Sequence, residues 1–338
     1  MTVGLEEIRQ AAERIAGKAV RTPLLEAPLL DQRLGCRVLV KAESLQLTGS
    51  FKFRGAYNRI AQLTRQELDR GVVAYSTGNH AQGVAAAART AGTSAVIVVP
   101  NDIPAIKKRN TQSWGAELAY YQREVEDRVA IAAAIADERH AVIVPPFDDD
   151  RIIAGQGTIG LELVEQAGAL GVTLDAVVIP CGGGGLSAGI ATAVKALSPE
   201  TRIYLVEPSN YDDTLRSMAA GDRIANDLGP GHGTTICDAL TAEMPGELTF
   251  PINQRLADGV LAIDDDLVAE GLYAAFADLK LVLEPSGAIA LAALVTGALG
   301  QEFDVSGKSI AIIGSGGNVD PLTYRDALQK GAARMSAR

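Results

Sequence analysis

The chain has 338 residues, of which 47% are hydrophobic and 21% are charged, so it can bury a large core in one or two domains. A formal net charge of -10 and only 4% aromatic residues argue against a nucleic-acid partner, which would need a basic or stacking surface. The three scattered cysteines fit reduced thiols in a cytoplasmic protein, and no apolar stretch approaches the roughly 20 residues of a membrane span.

Short apolar segments alternate with helical patterns along most of the chain. Residues 6–16 have the spacing of an amphipathic helix. We predict strands at residues 38–43, 71–75, 95–99, 116–120, 141–144, 176–180, 202–206 and 309–313. Helices are predicted from residue 52, at 81–91 and 103–110, from residue 153, and at 186–197. This alternation predicts an α/β fold with parallel sheets and helices on both faces.

Prolines and acids interrupt the alternation at residues 145–150, which indicates a domain boundary. We therefore predict a large domain of residues 1–70 plus 150–338 and a small inserted domain of residues 71–149.

Lys52 lies between two aromatic residues, Phe51 and Phe53, at the start of a predicted helix. Desolvation by the rings and the positive potential of a helix N-terminus both lower the pKa of an amine. Lys52 is therefore a candidate nucleophile or base. The alternative is a structural lysine whose stem packs on the rings while its head reaches water.

Four consecutive glycines, Gly182, Gly183, Gly184 and Gly185, separate a predicted buried strand from a helix. Such a loop lets the backbone approach an anion and aims several N–H groups at it. Ordering each glycine costs roughly 0.5 to 1 kcal/mol relative to alanine, so a purely structural turn is a poor explanation. The spacing does not match a dinucleotide fingerprint, and we predict a phosphate site.

Two other loops follow predicted strands, where open α/β sheets bind ligands. They contain Ser76, Thr77, Gly78, Asn79 and His80 in one case, and Ser315 between glycines in the other. Asn79 and Thr77 could contact a ligand, although asparagine is also common in plain turns. Ser315 either faces a ligand or bonds to its own turn, and a lone His80 gives no ground for an acid–base role.

An acidic loop follows the strand predicted at residues 202–206. It places Glu207, Asp212 and Asp213 within seven positions. Oxygen-rich loops suit a hard divalent cation, whereas a solvated acidic loop is the commoner alternative.

Five motifs in this order together resemble the pyridoxal-phosphate (PLP) enzymes of fold type II. They are residues 50–56, 78–83, 154–158, 182–185 and 315–317. Within this class the chain is similar to the threonine/serine dehydratase and serine racemase group, including branches that act on 3-hydroxyaspartate or hydroxyectoine-derived substrates. The resemblance implies a tryptophan synthase β-like fold, a cofactor cleft between a large PLP-binding domain and a small domain, and a homodimer.

The resemblance also implies roles for individual residues. Lys52 would form the imine link to PLP, Phe51 would lie against its ring, Asn79 would bond its phenolic oxygen and Ser315 its pyridine nitrogen. The phosphate would be bound by Gly182, Gly183, Gly184, Gly185 and Leu186, and the substrate carboxylate by Ser76, Thr77, Gly78, Asn79 and His80. A divalent cation, Mg²⁺, Mn²⁺ or Ca²⁺, would be held by the carboxylates of Glu207 and Asp213 and the backbone carbonyl of Tyr211.

The activity implied is that of an ammonia-lyase (dehydratase). It would eliminate water from L-threonine, L-serine or 3-hydroxyaspartate and release a 2-oxo or imino acid and ammonia. One alternative is an amino acid racemase using Lys52 and Thr77 on opposite faces of the cofactor, and another is a non-enzymatic module that binds a phosphate ligand. A second substrate carboxylate would need a cationic partner. Arg54 and Arg151 are candidates that no motif supports, and they are not among the predicted site residues.

Overall fold

A computed structural model describes residues 3–123, 125–229 and 232–337. Its strands are β1 (Leu24–Glu26), β2 (Arg37–Ala42), β3 (Val72–Tyr75), β4 (Ala95–Pro100), β5 (Glu117–Tyr121), β6 (Val142–Ile143), β7 (Ala176–Pro180), β8 (Arg202–Pro208), β9 (Gly259–Ile263) and β10 (Ser309–Gly314). Its α-helices are α1 (Leu5–Ile15), α2 (Pro28–Leu34), α3 (Lys52–Ile60), α4 (Arg65–Arg70), α5 (Asn79–Ala91), α6 (Ala105–Ser113), α7 (Arg128–Arg139), α8 (Asp150–Ala169), α9 (Gly185–Leu197), α10 (Asp213–Ala220), α11 (Thr249–Leu256), α12 (Asp265–Ala277), α13 (Pro285–Val295), α14 (Leu299–Glu302) and α15 (Pro321–Ser336). No helix in these ranges combines the length and apolarity needed to cross a bilayer.

The strands form two open sheets. The six-stranded sheet has the order β1-β2-β10-β7-β8-β9, and only β1 runs antiparallel to its neighbour. The four-stranded sheet has the order β5-β4-β3-β6 and is parallel throughout. The central strand β7 is buried along its whole length, as expected for a parallel strand covered by helices on both faces. The fold class predicted from the sequence is confirmed.

Glycines allow the helices beneath the cavity described below to pack closely. A Cβ added at Gly155 on α8 would lie 2.6 Å from the Cα of Gly55 on α3. A Cβ added at Gly189 on α9 would lie 2.6 Å from the backbone nitrogen of Gly157 on α8. Helices α3, α8 and α9 can therefore approach almost backbone to backbone, which fixes the start of α3 relative to the start of α9.

The predicted strands are all present, with ends shifted by a few residues, but two strands were not predicted. β1 is only three residues long, and the sequence suggested just an extended segment there. β9 lies at the edge of its sheet, begins with a glycine and is only partly buried. Neither segment has the continuous apolar, β-branched pattern of the central strands.

The domain boundaries predicted at residues 70/71 and 149/150 stay a prediction. All four strands of the smaller sheet fall between them. One hydrophobic cluster nevertheless joins Phe53 and Ile60 of α3 to Ile97 and Val99 of β4. The first boundary therefore crosses a continuous core.

Candidate active site

A cavity of about 390 Å³ lies where the loops after β3, β7 and β10 meet. Ligands of open α/β sheets bind at this end of the strands. The residues predicted for the cofactor and substrate all line it: Phe51, Lys52, Ser76, Thr77, Gly78, Asn79, His80, Gly182, Gly183, Gly184, Gly185, Leu186 and Ser315. The folded chain thus brings together motifs that are up to 264 positions apart (315 − 51).

Lys52 is the first residue of α3, and its amine faces the cavity. Nζ donates a hydrogen bond of 2.7 Å to the carbonyl of Pro146 and lies 5.1 Å from the centroid of the Phe51 ring. Burial lowers the pKa of this amine from 10.5 to about 8. Phe53 is fully buried and stacks on Tyr57 instead, so only one of the two flanking rings contacts the lysine.

The glycine loop forms a cradle in front of α9. Gly184 has φ +88°, and a Cβ at Gly183 would lie 2.4 Å from carbon atoms of the Phe147 ring. The Thr249 hydroxyl donates to the Gly183 carbonyl at 2.6 Å and the Asn253 amide to the Gly184 carbonyl at 3.3 Å, so both carbonyls have partners. The first N–H groups of α9 have no partner within the helix and supply the donors that an anion needs.

Asn79 and Glu284 form a buried pair on the cavity wall. The Asn79 amide donates to Glu284 Oε1 at 2.5 Å, and Asn79 Oδ1 accepts a bond of 2.8 Å from the Asn318 amide. Burial, followed by the charge of Asp238, raises the pKa of Glu284 to about 8. The role predicted for Asn79 toward a phenolic oxygen stays a prediction, since its amide nitrogen is already bonded to Glu284.

The sequence reasoning did not single out Glu284. The sequence feature that could have identified it is its position: Glu284 directly follows the apolar run 281–283 and directly precedes Pro285, the first residue of α13. Proline at that position marks a helix start. An acid at the end of an apolar run, next to such a start, could have been taken as a candidate for the cavity wall.

His80 is a buried neutral residue. Its Nε2 lies 2.9 Å from the carbonyl oxygen of Val144. Burial, assisted by the charge of Lys52, lowers the pKa of the imidazole to about 3. The ring therefore anchors the start of α5 to the end of β6, in agreement with the absence of any acid–base role assigned to it from the sequence.

Ser315 is nearly buried and is tied to the start of α3 through the backbone. Its carbonyl accepts a bond of 3.1 Å from the N–H of Phe51, and the adjacent Gly316 forms an antiparallel bridge with Ser50. The loop after β10 and the start of α3 therefore keep a fixed spacing on one wall of the cavity.

The residues predicted to hold a cation lie outside this cavity. Glu207 and Asp213 are both buried, and burial raises their pKa values to about 8 and about 6. Asp213 Oδ1 accepts a bond from Asn226 at 2.8 Å, while Oδ2 has no partner. Within the described parts of the chain no cluster of three or more acidic, histidine or cysteine side chains is arranged to bind a metal.

Neither arginine suggested as the partner of a second carboxylate lines the cavity. Arg54 is fully buried and pairs with Glu43 at 2.8 Å and Glu162 at 2.6 Å. Arg151 is exposed on α8 and does not line the cavity. Three other cations line it instead, Lys107, Arg123 and Arg128. They lie on the smaller sheet's helices and loops, and no sequence pattern distinguishes them from surface cations.

A family profile described as pyridoxal-phosphate dependent enzyme matches residues 15–316, and the chain belongs to this family. The L-threo-3-hydroxyaspartate ammonia-lyase of a Pseudomonas species is 39% identical over 96% of this chain and 98% of its own. The serine racemase of Oryza sativa subsp. indica is 39% identical over 96% of this chain and 94% of its own. The crystal structure of a threonine deaminase from T.th. superposes with a TM-score of 0.87 at 44% identity, covering 94% of this chain and 99% of that one.

These comparisons confirm the family resemblance, the dependence on PLP and the lyase class predicted from the sequence. The chain is an enzyme, which removes the alternative of a non-enzymatic binding module. The matched relatives include both ammonia-lyases and racemases, so the choice of substrate depends on the details of the cavity.

Proposed function

We propose that this enzyme eliminates water from a β-hydroxy amino acid, L-threonine, L-serine or 3-hydroxyaspartate, to give a 2-oxo acid and ammonia. The observation that carries the proposal is a lysine amine of lowered pKa in the same cavity as an anion-binding glycine loop. The 3-hydroxyaspartate ammonia-lyase and threonine deaminase among the relatives support the same reaction.

The residues present fit PLP. Side chains at Gly183 and Gly184 would collide with Phe147 and Thr249, so the loop is bare backbone that a phosphate could approach, and the start of α9 supplies N–H donors. Lys52 Nζ is the amine to which the cofactor would attach, beside the ring of Phe51. When bound, PLP draws electrons from the substrate Cα and makes its proton acidic.

The chain's own groups would then hold the substrate and move its protons. Backbone amides and hydroxyls of residues 76–78, which precede α5, would bind the substrate carboxylate. Lys52 Nζ would take the proton from Cα, a role that suits an amine with a pKa of about 8. The Cα–H and Cβ–O bonds break, the proton taken from Cα and the β-hydroxyl together account for the water released, and the resulting enamine is hydrolysed to the 2-oxo acid and ammonia.

A panel of L-serine, L-threonine and the stereoisomers of 3-hydroxyaspartate tests this function. The purified enzyme, supplied with PLP, is assayed for 2-oxo acid and for ammonia in separate reactions. We expect equal amounts of both products from at least one β-hydroxy amino acid and none from L-alanine, which lacks a leaving group. Turnover of no member of the panel would contradict the proposal.

A racemase is the second candidate because Thr77 and Lys52 line the same cavity. The Thr77 hydroxyl could return a proton to Cα on the face opposite Lys52. Chiral analysis of the amino acid that remains after incubation with L-serine distinguishes the two functions. Appearance of D-serine in the wild type, and its loss in Thr77→Val with ammonia release retained, would assign racemisation to this pair.

We propose that Glu207, Asp213 and the Tyr211 carbonyl bind a divalent cation. The supporting observation is that two carboxylates are buried together and that Asp213 Oδ2 has no partner. Glu207 accepts the backbone N–H groups of Thr214 and Leu215, so the unmet oxygen is Asp213 Oδ2. Burying such an oxygen next to a second carboxylate is costly, and an oxygen-binding cation would offset this cost. Its role would be structural, because these residues do not line the cavity.

We also propose a homodimer that forms through an apolar patch beside the active site. Its members, Leu45, Leu47 and Val282, are between 41% and 51% exposed. A Cβ added at Gly317 would lie 2.8 Å from the Val282 carbonyl and 3.0 Å from the Ser44 Cβ, so the segments that carry these residues are close together. Leu45→Glu should convert a dimer to a monomer in light scattering, whereas Leu29→Glu, at an exposed leucine on α2, should not. The three free, buried cysteines support the predicted cytoplasmic location.

A further inference from the structure

The cavity contains three separate features suited to anions. The first is the glycine loop before α9, and the second is the loop of residues 76–78 before α5. The third is Arg128, the first residue of α7, whose side chain lines the same cavity. A bound PLP has one phosphate and a simple β-hydroxy amino acid has one carboxylate, so these two anions leave the third feature without a partner.

The other rim cations already have partners. Lys107 Nζ forms an ion pair with Asp238, and Arg123 Nε bonds both carboxylate oxygens of Asp102 at 2.9 and 3.1 Å. Among the described residues, Arg128 forms no ion pair of this kind. Of these three cations, Arg128 is therefore the one whose charge is not paired.

Two acids that act on the Tyr75 phenol together with Arg128 have backbone hydrogen-bond partners of their own. Asp127 accepts the N–H of Val129 as the N-cap of α7. Asp148 accepts the N–H groups of Glu247 and Leu248, each at 2.9 Å. These two acids and Arg128 all lie close enough to Tyr75 to act on its phenol, and Tyr75 itself lines the cavity. Burial raises the pKa of that phenol, so it stays protonated and remains a hydrogen-bond donor.

We propose that Arg128, with the Tyr75 hydroxyl beside it, binds a second carboxylate on the substrate and thereby selects dicarboxylic β-hydroxy amino acids, such as 3-hydroxyaspartate, over L-serine and L-threonine. This inference rests on the proposed lyase function and narrows its substrate class. A guanidinium suits this task because its planar array of donors matches a carboxylate in bidentate geometry.

The first experiment compares kcat/KM for L-threo-3-hydroxyaspartate and L-serine in the wild type, Arg128→Gln, Arg128→Lys and Arg109→Gln. Arg109 is a matched control, an arginine on α6 that does not line the cavity. We expect Arg128→Gln to lower kcat/KM for hydroxyaspartate by about 10- to 100-fold, the usual loss when a charged hydrogen bond is removed. The value for L-serine should stay within about threefold, Arg128→Lys should retain part of the preference, and Arg109→Gln should change neither value.

Equal losses of kcat/KM for both substrates would place Arg128 at the α-carboxylate and overturn the proposal. No loss for either substrate would overturn it as well. A binding measurement separates this failure from failure of the lyase function. Succinate and butyrate have the same carbon count but two and one carboxylates. Succinate should raise the melting temperature of the wild type with and without PLP, butyrate should not, and Arg128→Gln should abolish the difference. If the wild type turned over neither amino acid, the lyase function would fail, and the succinate measurement would still decide the role of Arg128.

Discussion

The Asn79 amide donates a hydrogen bond of 2.5 Å to Glu284 Oε1, joining the first residue of α5 to the residue that precedes α13. On the wall of the cavity, the bond thus connects α5, which packs on the smaller sheet, with α13, which packs on the larger sheet. Since burial raises the pKa of Glu284 to about 8, the side chain is a neutral acid at pH 7, and the pair carries no net charge.

The first prediction concerns the pH dependence of stability at Glu284. Below pH 4.5 both the folded and the unfolded protein keep this proton, whereas between pH 4.5 and 8 only the folded protein does. The free energy of unfolding therefore falls over this window as the pH rises, and the fall ends near pH 8. Glu284→Gln has a similar shape and is neutral at every pH. Its stability relative to the wild type should therefore increase as the pH rises.

Melting temperatures of the cofactor-free proteins at pH 5, 6, 7 and 8.5 check this prediction. The difference between Glu284→Gln and the wild type should grow by about 2 °C or more across the series. Glu302→Gln, at an exposed acid on α14, should show a constant difference. A constant difference for Glu284→Gln as well would mean that this carboxyl group ionises alike in both states.

The second prediction concerns the glycine loop. A methyl group at Gly183 would lie 2.4 Å from the Phe147 ring, so either the ring or the glycine loop must shift. Gly183→Ala should weaken PLP binding by about tenfold or more, as expected when a built-in anion site is distorted. Gly168→Ala on α8, where a Cβ would meet nothing within 4 Å, should leave PLP binding unchanged.

Titration of PLP into cofactor-free protein measures both variants. The double variant Gly183→Ala with Phe147→Leu should recover part of the affinity, since a smaller side chain makes room for the methyl group. Unchanged affinity in Gly183→Ala alone would show that the cradle does not hold the phosphate.

The third prediction concerns Lys52. Lys52→Met should lower lyase activity by about a thousandfold or more, because the group that would both hold the cofactor and move the α-proton is lost. A folded pKa of about 8 means that keeping this amine charged costs stability at pH 7. The cofactor-free variant should therefore melt at a temperature equal to or above that of the wild type. Lys18→Met, at an exposed lysine after α1, should retain activity, and retained turnover in Lys52→Met would refute the assigned role.

Sequence alone could predict what is encoded locally. The central strands are continuous apolar runs, and the glycine loop and the start of α3 are each defined by neighbouring residues, so their places in the fold were predicted correctly. The edge strand β9 was missed because Gly259 and its partial exposure remove the strand pattern. Glu284 was missed because its role depends on Asn79, which is 205 positions away.

Ion pairs between residues far apart in sequence also decide which cations remain free to bind a substrate. Arg54 lies two positions after Lys52, yet its partner Glu162 is 108 positions distant and holds it beneath the cavity. Arg128 looks like an ordinary surface residue in sequence, and only the fold places it on the cavity rim, where it forms no ion pair with the described residues. Local sequence thus singles out Lys52 as the candidate catalytic amine, whereas the residue proposed to select the substrate emerges only from tertiary contacts.

The fourth prediction concerns the proposed cation. Adding Mg²⁺ or Ca²⁺ to EDTA-treated wild-type protein should raise its melting temperature, because a ligand that binds only the folded state stabilises it. Asp213→Asn should remove most of this rise, since Asp213 supplies the oxygen that has no protein partner. Asp222→Asn, at an exposed acid after α10, should keep it. If neither cation shifts the melting temperature of the wild type, the two acids do not form a cation site.

The fifth prediction concerns the buried ion pairs beneath the active site. Arg54 has no exposed surface and bonds Glu43 and Glu162, while the fully buried Lys41 also bonds Glu162 at 2.6 Å. Removing Arg54 would leave Glu43, itself fully buried, without its paired cation. Arg54→Met should therefore lower the free energy of unfolding by about 3 to 5 kcal/mol, the usual cost of breaking one side of a buried pair.

Denaturant titration of the cofactor-free proteins measures this loss. Arg65→Met removes an exposed pair with Asp69 and should cost at most about 1 kcal/mol. In the double variant Arg54→Met with Glu43→Gln, no buried charge is left unpaired at Glu43, so part of the stability should return. A double variant as unstable as Arg54→Met alone would mean that lost packing and hydrogen bonds, and not an unpaired carboxylate, account for the effect of Arg54.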